Sequence, residues 1–337
     1  MKAIVYTQAG LPIGDPQSLH EIDVPVPQPG LRDLLVRIDA IAVNPVDSKL
    51  RLGVAPTGPR ILGWDAVGIV EAVGANVEFF QVGDPVWYAG DITRPGCYAE
   101  YGVVDERIAG RPPKSLPAAS AAALPLTAIT AWELLFDRLR VPEHGGQGQS
   151  LLIIGAAGGV GSILVQLARK LTGLTVIGTA SRADTQAWVQ SLGAHHVIDH
   201  GKPLKAQLTE AGLNQVDHVI SLNHTETYFE QIVDLLKPQG QLALIDDPAR
   251  LDAMPLKRKS ISLHWEFMFT RSMYQASDMR AQHDLLDRVA ALVDEGILVS
   301  TSRQNLGAIS AENLRHAHAL IESNKTLGKI VLEGFRH

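Results

Sequence analysis

The densest chemical signal in the chain is LLIIGAAGGVGSILVQLARKL, where an apolar run ends at Gly155 and a helical pattern begins near Gly161. Glycines at such a place let the backbone turn sharply, let a pyrophosphate approach exposed N–H groups, and let a helix pack closely on a strand. Read as Ala156-Ala157-Gly158-Gly159-Val160-Gly161, the segment is a dinucleotide-binding fingerprint with Ala in the first glycine's place. The bare pattern also fits any tight strand-to-helix turn. Here a strand before it, a helix after it and a second strand roughly twenty residues on supply the context the fingerprint needs. Ala157, Gly158, Gly159 and Val160 are therefore expected to cradle the phosphates of a nicotinamide dinucleotide.

The end of the next strand-like run, TVIGTA, bears on which dinucleotide. An Asp or Glu there would accept hydrogen bonds from a free ribose 2′-hydroxyl, but the run is followed by Ser181 and Arg182. A 2′-phosphate meets no carboxylate at that point. Arg182 can hold it in a forked, charge-assisted contact worth about 1.5–3 kcal/mol, and Ser181 can donate one more bond. An Arg in a surface loop is more often merely solvated, and Asp184 stands close by. The missing acidic partner nevertheless favours NADP(H) over NAD.

The rest of the chain limits the alternatives. Its 337 residues, 46% hydrophobic and 20% charged, have the composition of a globular protein with room for about two domains. With 30 Lys and Arg against 36 Asp and Glu, a formal charge of −6 and no dense basic stripe, nucleic acid and anionic membrane surfaces are poor partners. Cys97, the one cysteine, can form no intrachain disulfide and cannot build a four-cysteine zinc site, which suits a reducing cytoplasm. The start, MKAIVYTQAG, lacks an apolar core of signal-peptide length, and the best apolar run, near Ala118 to Leu126, is preceded by Pro117 and broken by Pro125. Neither export nor membrane insertion is expected.

These elements must position the chemistry. Residues 1–124 read as short apolar stretches punctuated by Gly and Pro, such as KAIVY, LLVRIDAIAV and CYAEYGVV, with little helical periodicity. They predict a mostly β domain. After Pro125, LTAITAWELLFDRL reads as an amphipathic helix, and from Ser150 strand-like and helix-like runs alternate. That alternation predicts a doubly wound α/β domain over 125–271, a parallel sheet with helices on both faces. SISLHWEF reads as a further strand; in 272–337, HDLLDRVAALVDEG and ENLRHAHALIES read as helices, and GKIVLE follows them.

Several motifs along this frame carry a family resemblance: Asn44-Pro45-Val46-Asp47, GWDAVGIVEAVG from Gly63 to Gly74, Gly83-Asp84-Pro85-Val86, LPLTAITAWELL and Gly328-Lys329-Ile330-Val331-Leu332. With the mid-chain Ala-Gly-Gly-Val-Gly turn, the chain resembles the medium-chain dehydrogenase/reductase superfamily over essentially its whole length, and within it the non-zinc quinone oxidoreductase branch. SISLHWEFMFTRSMY resembles a subgroup often labelled zinc-type alcohol dehydrogenase-like proteins. The resemblance implies a GroES-like catalytic domain built from both chain ends, a Rossmann domain between them, and a homodimer joined through the last strand of the Rossmann sheet. The zinc alcohol dehydrogenases have a Cys where this chain has Asn44 and a Gly-His-Glu triplet where it has Gly63-Trp64-Asp65. No metal is therefore expected; only Asp47 and Asp65 remain nearby, and Cys97 falls at a strand position as a small core residue.

The resemblance also implies roles. Asn44 would donate to the acceptor oxygen or the cofactor ribose, and Asp47 would tie its loop to the backbone. Trp64 would form an apolar wall against a flat substrate, or else be a core aromatic. Thr127 and Thr130 would contact the nicotinamide side, or cap their helix. His200 would take the place of a Tyr lying against the adenosine. Phe267, with Met268 and Phe269, would line the pocket or belong to the core, and Lys329 of the closing motif completes the cofactor-binding set. Tyr98 and Tyr101 are proton-donor candidates by type alone, with solvent as the alternative. His195, His196, His316 and His318 lack ligand spacing and read as polar surface residues. The function implied is an NADPH-dependent reduction of quinones or α,β-unsaturated carbonyls without zinc. An alcohol or aldehyde dehydrogenase of the same fold, or an NADPH-binding sensor or structural protein with little turnover, are the alternatives.

Overall fold

In a computed structural model that describes residues 1–335, the run Ser150–Ile154 is buried at every position. Burial on both faces is what a parallel strand between two helical layers requires. The strand lies inside a six-stranded sheet whose order is His196–Ile198, Thr175–Thr179, Ser150–Ile154, Val216–Ser221, Leu236–Leu244 and Ser262–Trp265, every neighbouring pair parallel. In chain order this is 3-2-1-4-5-6, the Rossmann arrangement, which reverses direction between Ser150–Ile154 and Val216–Ser221. These strands lie in the unit formed by residues 130–268.

The glycine-rich turn leaves the first strand at that reversal. Gly155 has φ +84°, a left-handed conformation, and a Cβ there would lie 2.8 Å from Asn223 Oδ1. A Cβ on Gly161 would come 2.4 Å from the Gly155 carbonyl oxygen, so the helix packs against the turn only because that residue has no side chain. The helix runs Gly159–Leu171 and so starts two residues before the position the apolar pattern marked. Glycine adopts helical and loop dihedrals with similar ease, so a glycine pair hides the boundary.

The other unit comprises residues 1–129 and 269–337. Its main sheet is centred on the eleven-residue strand Asp33–Val43, which pairs antiparallel with Ala66–Val73, Tyr101–Asp105 and the returning strand Lys329–Glu333. A smaller sheet joins Lys2–Tyr6 to His20–Asp23 and Arg60–Ile61. The register Ile330↔Val43 sets Lys329 beside the end of Asp33–Val43, where Asn44 begins the next turn.

Three local readings change. The segment read as mostly β, with no helix marked in it, contains the helix Pro45–Gly53, started by Asn44 at the N-cap, Pro45 in the first turn and Asp47 three residues on. Cys97 lies in a bend rather than a strand, buried, with its thiol donating to the Asp65 carbonyl at 3.3 Å. The helix after Pro125 is α-helical over Pro125–Trp132 and π-helical over Glu133–Arg138, and most of its residues are buried rather than one face. By length and composition the stretch Ala118–Arg138 would suffice to cross a membrane, but it is mostly buried inside the protein.

Candidate active site

The Asn44 N-cap organises a buried polar cluster. Asp47, three residues on, accepts the Asn44 N–H at Oδ2 (2.8 Å), half of a capping box, and so fixes the backbone where the strand Asp33–Val43 becomes a helix. The Asn44 side chain then turns to two other segments. Its Nδ2 donates to Asp65 Oδ2 at 2.8 Å, and its Oδ1 accepts from the Lys329 ammonium. Lys329 also donates to Asp65 Oδ2 at 2.9 Å and to the Val43 carbonyl at 3.1 Å, while Asp65 Oδ1 accepts the Leu126 N–H at 2.8 Å. Asn44, Asp65 and Lys329 are all buried.

Counting donors shows what is left for a ligand. An ammonium has three N–H groups and all three are placed; an amide has two, and one of Asn44's is placed. Asn44 Nδ2 therefore retains the spare donor of the cluster. Its orientation is fixed chemically, because an ammonium can only face the amide oxygen and a carboxylate can only face the amide N–H. Burial pushes the Asp65 carboxyl up, against the opposing pull of Lys329, Asn44 and the Leu126 N–H.

A second line of buried groups leaves the same helix start. Tyr98 donates its hydroxyl to Asp47 Oδ2 at 2.8 Å, the Tyr98 oxygen lies 3.2 Å from His318 Nε2, and His318 Nδ1 lies 3.1 Å from Ser48 Oγ. Burial pushes Asp47 up to about 7, with the Asn44 N–H and the Tyr98 hydroxyl pulling the other way. Burial and then the Arg51 charge push His318 down to about 3, so its imidazole is neutral at physiological pH. His318 thus departs from the surface reading given to it: it is fully buried, whereas His316 two residues earlier is exposed.

In the other unit the phosphate-binding turn is open where a ligand would need it. Ala157, Gly158, Gly159 and Val160 are partly exposed, and a Cβ on Gly158 would meet only the Gly155 oxygen, at 3.6 Å. The first N–H groups of a helix lack intrahelical acceptors, so the start of Gly159–Leu171 fits a pyrophosphate. Ser181 and Arg182 are exposed before the helix Ala183–Ser191, and Arg182 Nε lies 3.2 Å from Asp184 Oδ1. The His200 ring lies edge-on to Tyr228 with centroids 6.4 Å apart. Phe267 is exposed whereas Met268 is buried. Thr130 is buried; Thr127, in the first unit, is also buried and turns its hydroxyl back to the Ala123 and Leu124 carbonyls.

Comparison with known proteins places this arrangement. Residues 30–114 match the family described as the alcohol dehydrogenase GroES-like domain, and residues 192–332 match the family described as zinc-binding dehydrogenase. A zinc-type alcohol dehydrogenase-like protein of Staphylococcus aureus is 40% identical over 311 residues, which is 91% of this chain and 92% of that one. The chain belongs to the medium-chain dehydrogenase/reductase superfamily. A crystal structure of a Rhizobium etli protein, provisionally described as a zinc-dependent alcohol dehydrogenase, is similar with a TM-score of 0.96 and 53% identity, over 100% of this chain and 99% of that one. A chloroplastic quinone-oxidoreductase homolog of Spinacia oleracea is 35% identical over 226 residues, 65% of this chain and 67% of its own. Solved structures of this architecture include complexes with NADPH. The protein is an oxidoreductase of this superfamily, and its phosphate turn fits a nicotinamide cofactor.

The superfamily's catalytic zinc, by contrast, does not fit the donors present. Asn44 and Trp64 stand where the zinc enzymes have Cys and His. The Asn44 amide is held by Lys329 and Asp65, and the Trp64 indole donates to the Asp91 carbonyl at 3.0 Å and has no lone pair to offer. Trp64 is buried edge-on to Phe269, with centroids 6.1 Å apart. Asp65, the last member of the triplet, already faces an ammonium. Among the described residues no group of three His, Cys, Asp or Glu is placed to hold a metal ion. Ser48, Asp65 and His318 are site members to which sequence reasoning gave no catalytic or binding role. The signal for His318 was present: Leu314, Ala317, His318 and Ile321 share the i, i+3, i+4, i+7 stripe of an inward helix face. We predict that Lys329→Met destabilises the protein by about 3–5 kcal/mol, because it strands a buried carboxylate. Adding Asp65→Asn should recover part of that loss in chemical denaturation; additive losses would show that the two side chains are not coupled.

Proposed function

We propose that the protein is a zinc-independent, NADPH-dependent reductase of quinones or α,β-unsaturated carbonyls. The observation that carries this reading is the Lys329 ammonium bonded to Asp65 and to Asn44, the residue that stands where zinc members of the superfamily have a Cys. Reduction of a saturated carbonyl concentrates charge on one oxygen, which a metal would stabilise by several kcal/mol, as a rough scale. Conjugation spreads the charge, so a few hydrogen-bond donors suffice. The spare N–H of Asn44 is such a donor, and Trp64 offers an apolar wall. NADPH, when bound, supplies the hydride.

The preference for NADPH rests on Ser181 and Arg182 at the end of Thr175–Thr179, with the superfamily's NADPH complexes as support. The nearby carboxylate, Asp184, accepts the Thr185 N–H at 2.8 Å and pairs with Arg182. We place the protein in the cytoplasm as a homodimer. The edge strand Ser262–Trp265, with Trp265 exposed, supports such an assembly, and sedimentation at the monomer mass would exclude it.

Two measurements test the reading. Arg182→Ala should weaken NADPH binding by about tenfold to a hundredfold and leave NADH nearly unchanged; equal losses would remove Arg182 from the 2′-phosphate site. In a panel of quinones, alkenals, cyclic enones and simple alcohols, turnover should be confined to the conjugated acceptors. Asn44→Ala should slow it by about a hundredfold while changing NADPH affinity less. Faster turnover of a simple alcohol than of any conjugated acceptor would overturn the assignment.

A further inference from the structure

We propose that Ser48, His318, Tyr98 and Asp47 form a proton relay, and that Asp47, its last member, supplies the proton that completes reduction. The inference rests on the reductase reading, because hydride addition to an enone or quinone must be followed by protonation. The four groups follow one another at 3.1, 3.2 and 2.8 Å, all buried. Each inner member both donates and accepts, and this is what a relay requires.

One arrangement satisfies every contact with Asp47 charged. Ser48 O–H donates to His318 Nδ1, His318 Nε2–H donates to the Tyr98 oxygen, and Tyr98 O–H donates to Asp47 Oδ2. Shifting each proton one place along gives the other arrangement. Ser48 gives its proton to Nδ1 and takes one from a hydronium ion of the solvent, which is left as water. His318 gives its Nε2 proton to Tyr98, and Tyr98 gives its own to Asp47. One proton has entered at Ser48 and Asp47 is neutral, while His318 has only exchanged tautomers and gained no charge. The carboxyl then releases its proton to the enolate carbon or the quinone oxygen: the Asp47 O–H bond breaks, a C–H or O–H bond forms, and the carboxylate is left to be refilled. We assign the delivery to Asp47 Oδ1, which is buried and accepts no hydrogen bond among the described residues; a half-turn of the carboxyl brings a proton received at Oδ2 to that position.

Charge balance explains why the proton resides there. Asp47 is faced by Lys329 from the strand Lys329–Glu333, by Asp65 before Ala66–Val73, by Cys97 and Tyr98 from their bend, and, through Tyr98, by His318 of the helix Ala311–Glu322. Its own helix adds Arg51, which is paired with Glu322. Two carboxyl groups therefore share one nearby ammonium, and Asp65 bonds it directly. Burial holds the Asp47 proton up to about 7 and keeps the His318 imidazole neutral down to about 3. With its affinity raised, Asp47 is loaded below about pH 7 and empties as the pH rises through it.

The test uses the full protein with NADPH and a conjugated acceptor. Wild-type kcat should fall as the pH rises through about 7. Asp47→Asn should lose that limb and about tenfold or more in kcat at pH 6, with NADPH affinity unchanged. Tyr98→Phe and His318→Asn should keep a normal first turnover, since Asp47 is already loaded, and then slow in the steady state. Ser48→Ala, the mildest change, should act likewise if either of those variants folds poorly. Wild-type steady-state rates and pH profiles in all three would overturn the relay. A wild type that oxidises NADPH with no acceptor in the panel would instead strike the reductase reading. The stored proton would then be decided separately by carboxyl NMR: Asp47 should titrate near pH 7 and shift in Tyr98→Phe, and titration as an ordinary carboxylate would overturn it.

Discussion

A buried ammonium is the constraint on which the first unit depends. Removing such a charge from water costs several kcal/mol even after the protein relaxes, on a rough scale, so Lys329 can be buried only where acceptors converge on it. They come from the end of one strand (Val43 and Asn44) and the residue before another (Asp65). Lys329 itself opens the last strand of the chain. The pairing Ile330↔Val43 is therefore an electrostatic requirement as well as a sheet register. A slip of one residue would turn Lys329 to the opposite face and leave Asp65 without its cation.

The same ammonium changes what the site can do. A catalytic metal ion combines positive charge with an open coordination position. The ammonium keeps the charge and fills its donor positions with protein oxygens. It can orient Asn44 and neutralise Asp65, but in this arrangement it has no N–H left for a substrate. The work of meeting an acceptor oxygen falls to a neutral amide, whose contribution is smaller and whose direction is fixed. Such a site suits acceptors whose own electronic structure disperses charge.

How much of this was legible in the sequence differs between the two units. In the Rossmann unit, apolar strands, helical stripes and the glycine turn repeat a local rule, and local patterns report local geometry. The parallel sheet with alternating helices agreed with expectation, whereas the helix start at Gly159 was hidden by glycine's freedom at both dihedrals. In the other unit the site is assembled from positions 44, 47, 65, 98, 318 and 329, and no periodicity connects residues so far apart. Asn44, Asp47 and Lys329 were visible through motifs. Asp65 was weighed only as a remaining metal ligand, and its partnership with Lys329 is a tertiary fact. His318 was misread because polarity was given more weight than its place on the apolar stripe of its helix. The helix Pro45–Gly53 was passed over although its Asn-Pro-x-Asp start is a capping pattern, because the surrounding Gly and Pro residues dominated the reading.

The two polar groupings meet at one short segment, and this meeting has a chemical consequence. Asn44 carries the spare donor through its side chain, and its backbone N–H is held by the carboxyl group of Asp47. The group that would stabilise developing charge and the group that holds a proton are thus three residues apart, on one cap. Loss of the Asp47 proton places a negative charge beside Asn44's N–H and strengthens that cap hydrogen bond, since a charged acceptor binds an N–H more strongly than a neutral one. The spent state is thereby stabilised locally while its burial still disfavours it. A carboxyl group under these opposed pressures is held close to neutrality in its proton affinity, instead of being fixed as either a permanent acid or a permanent anion.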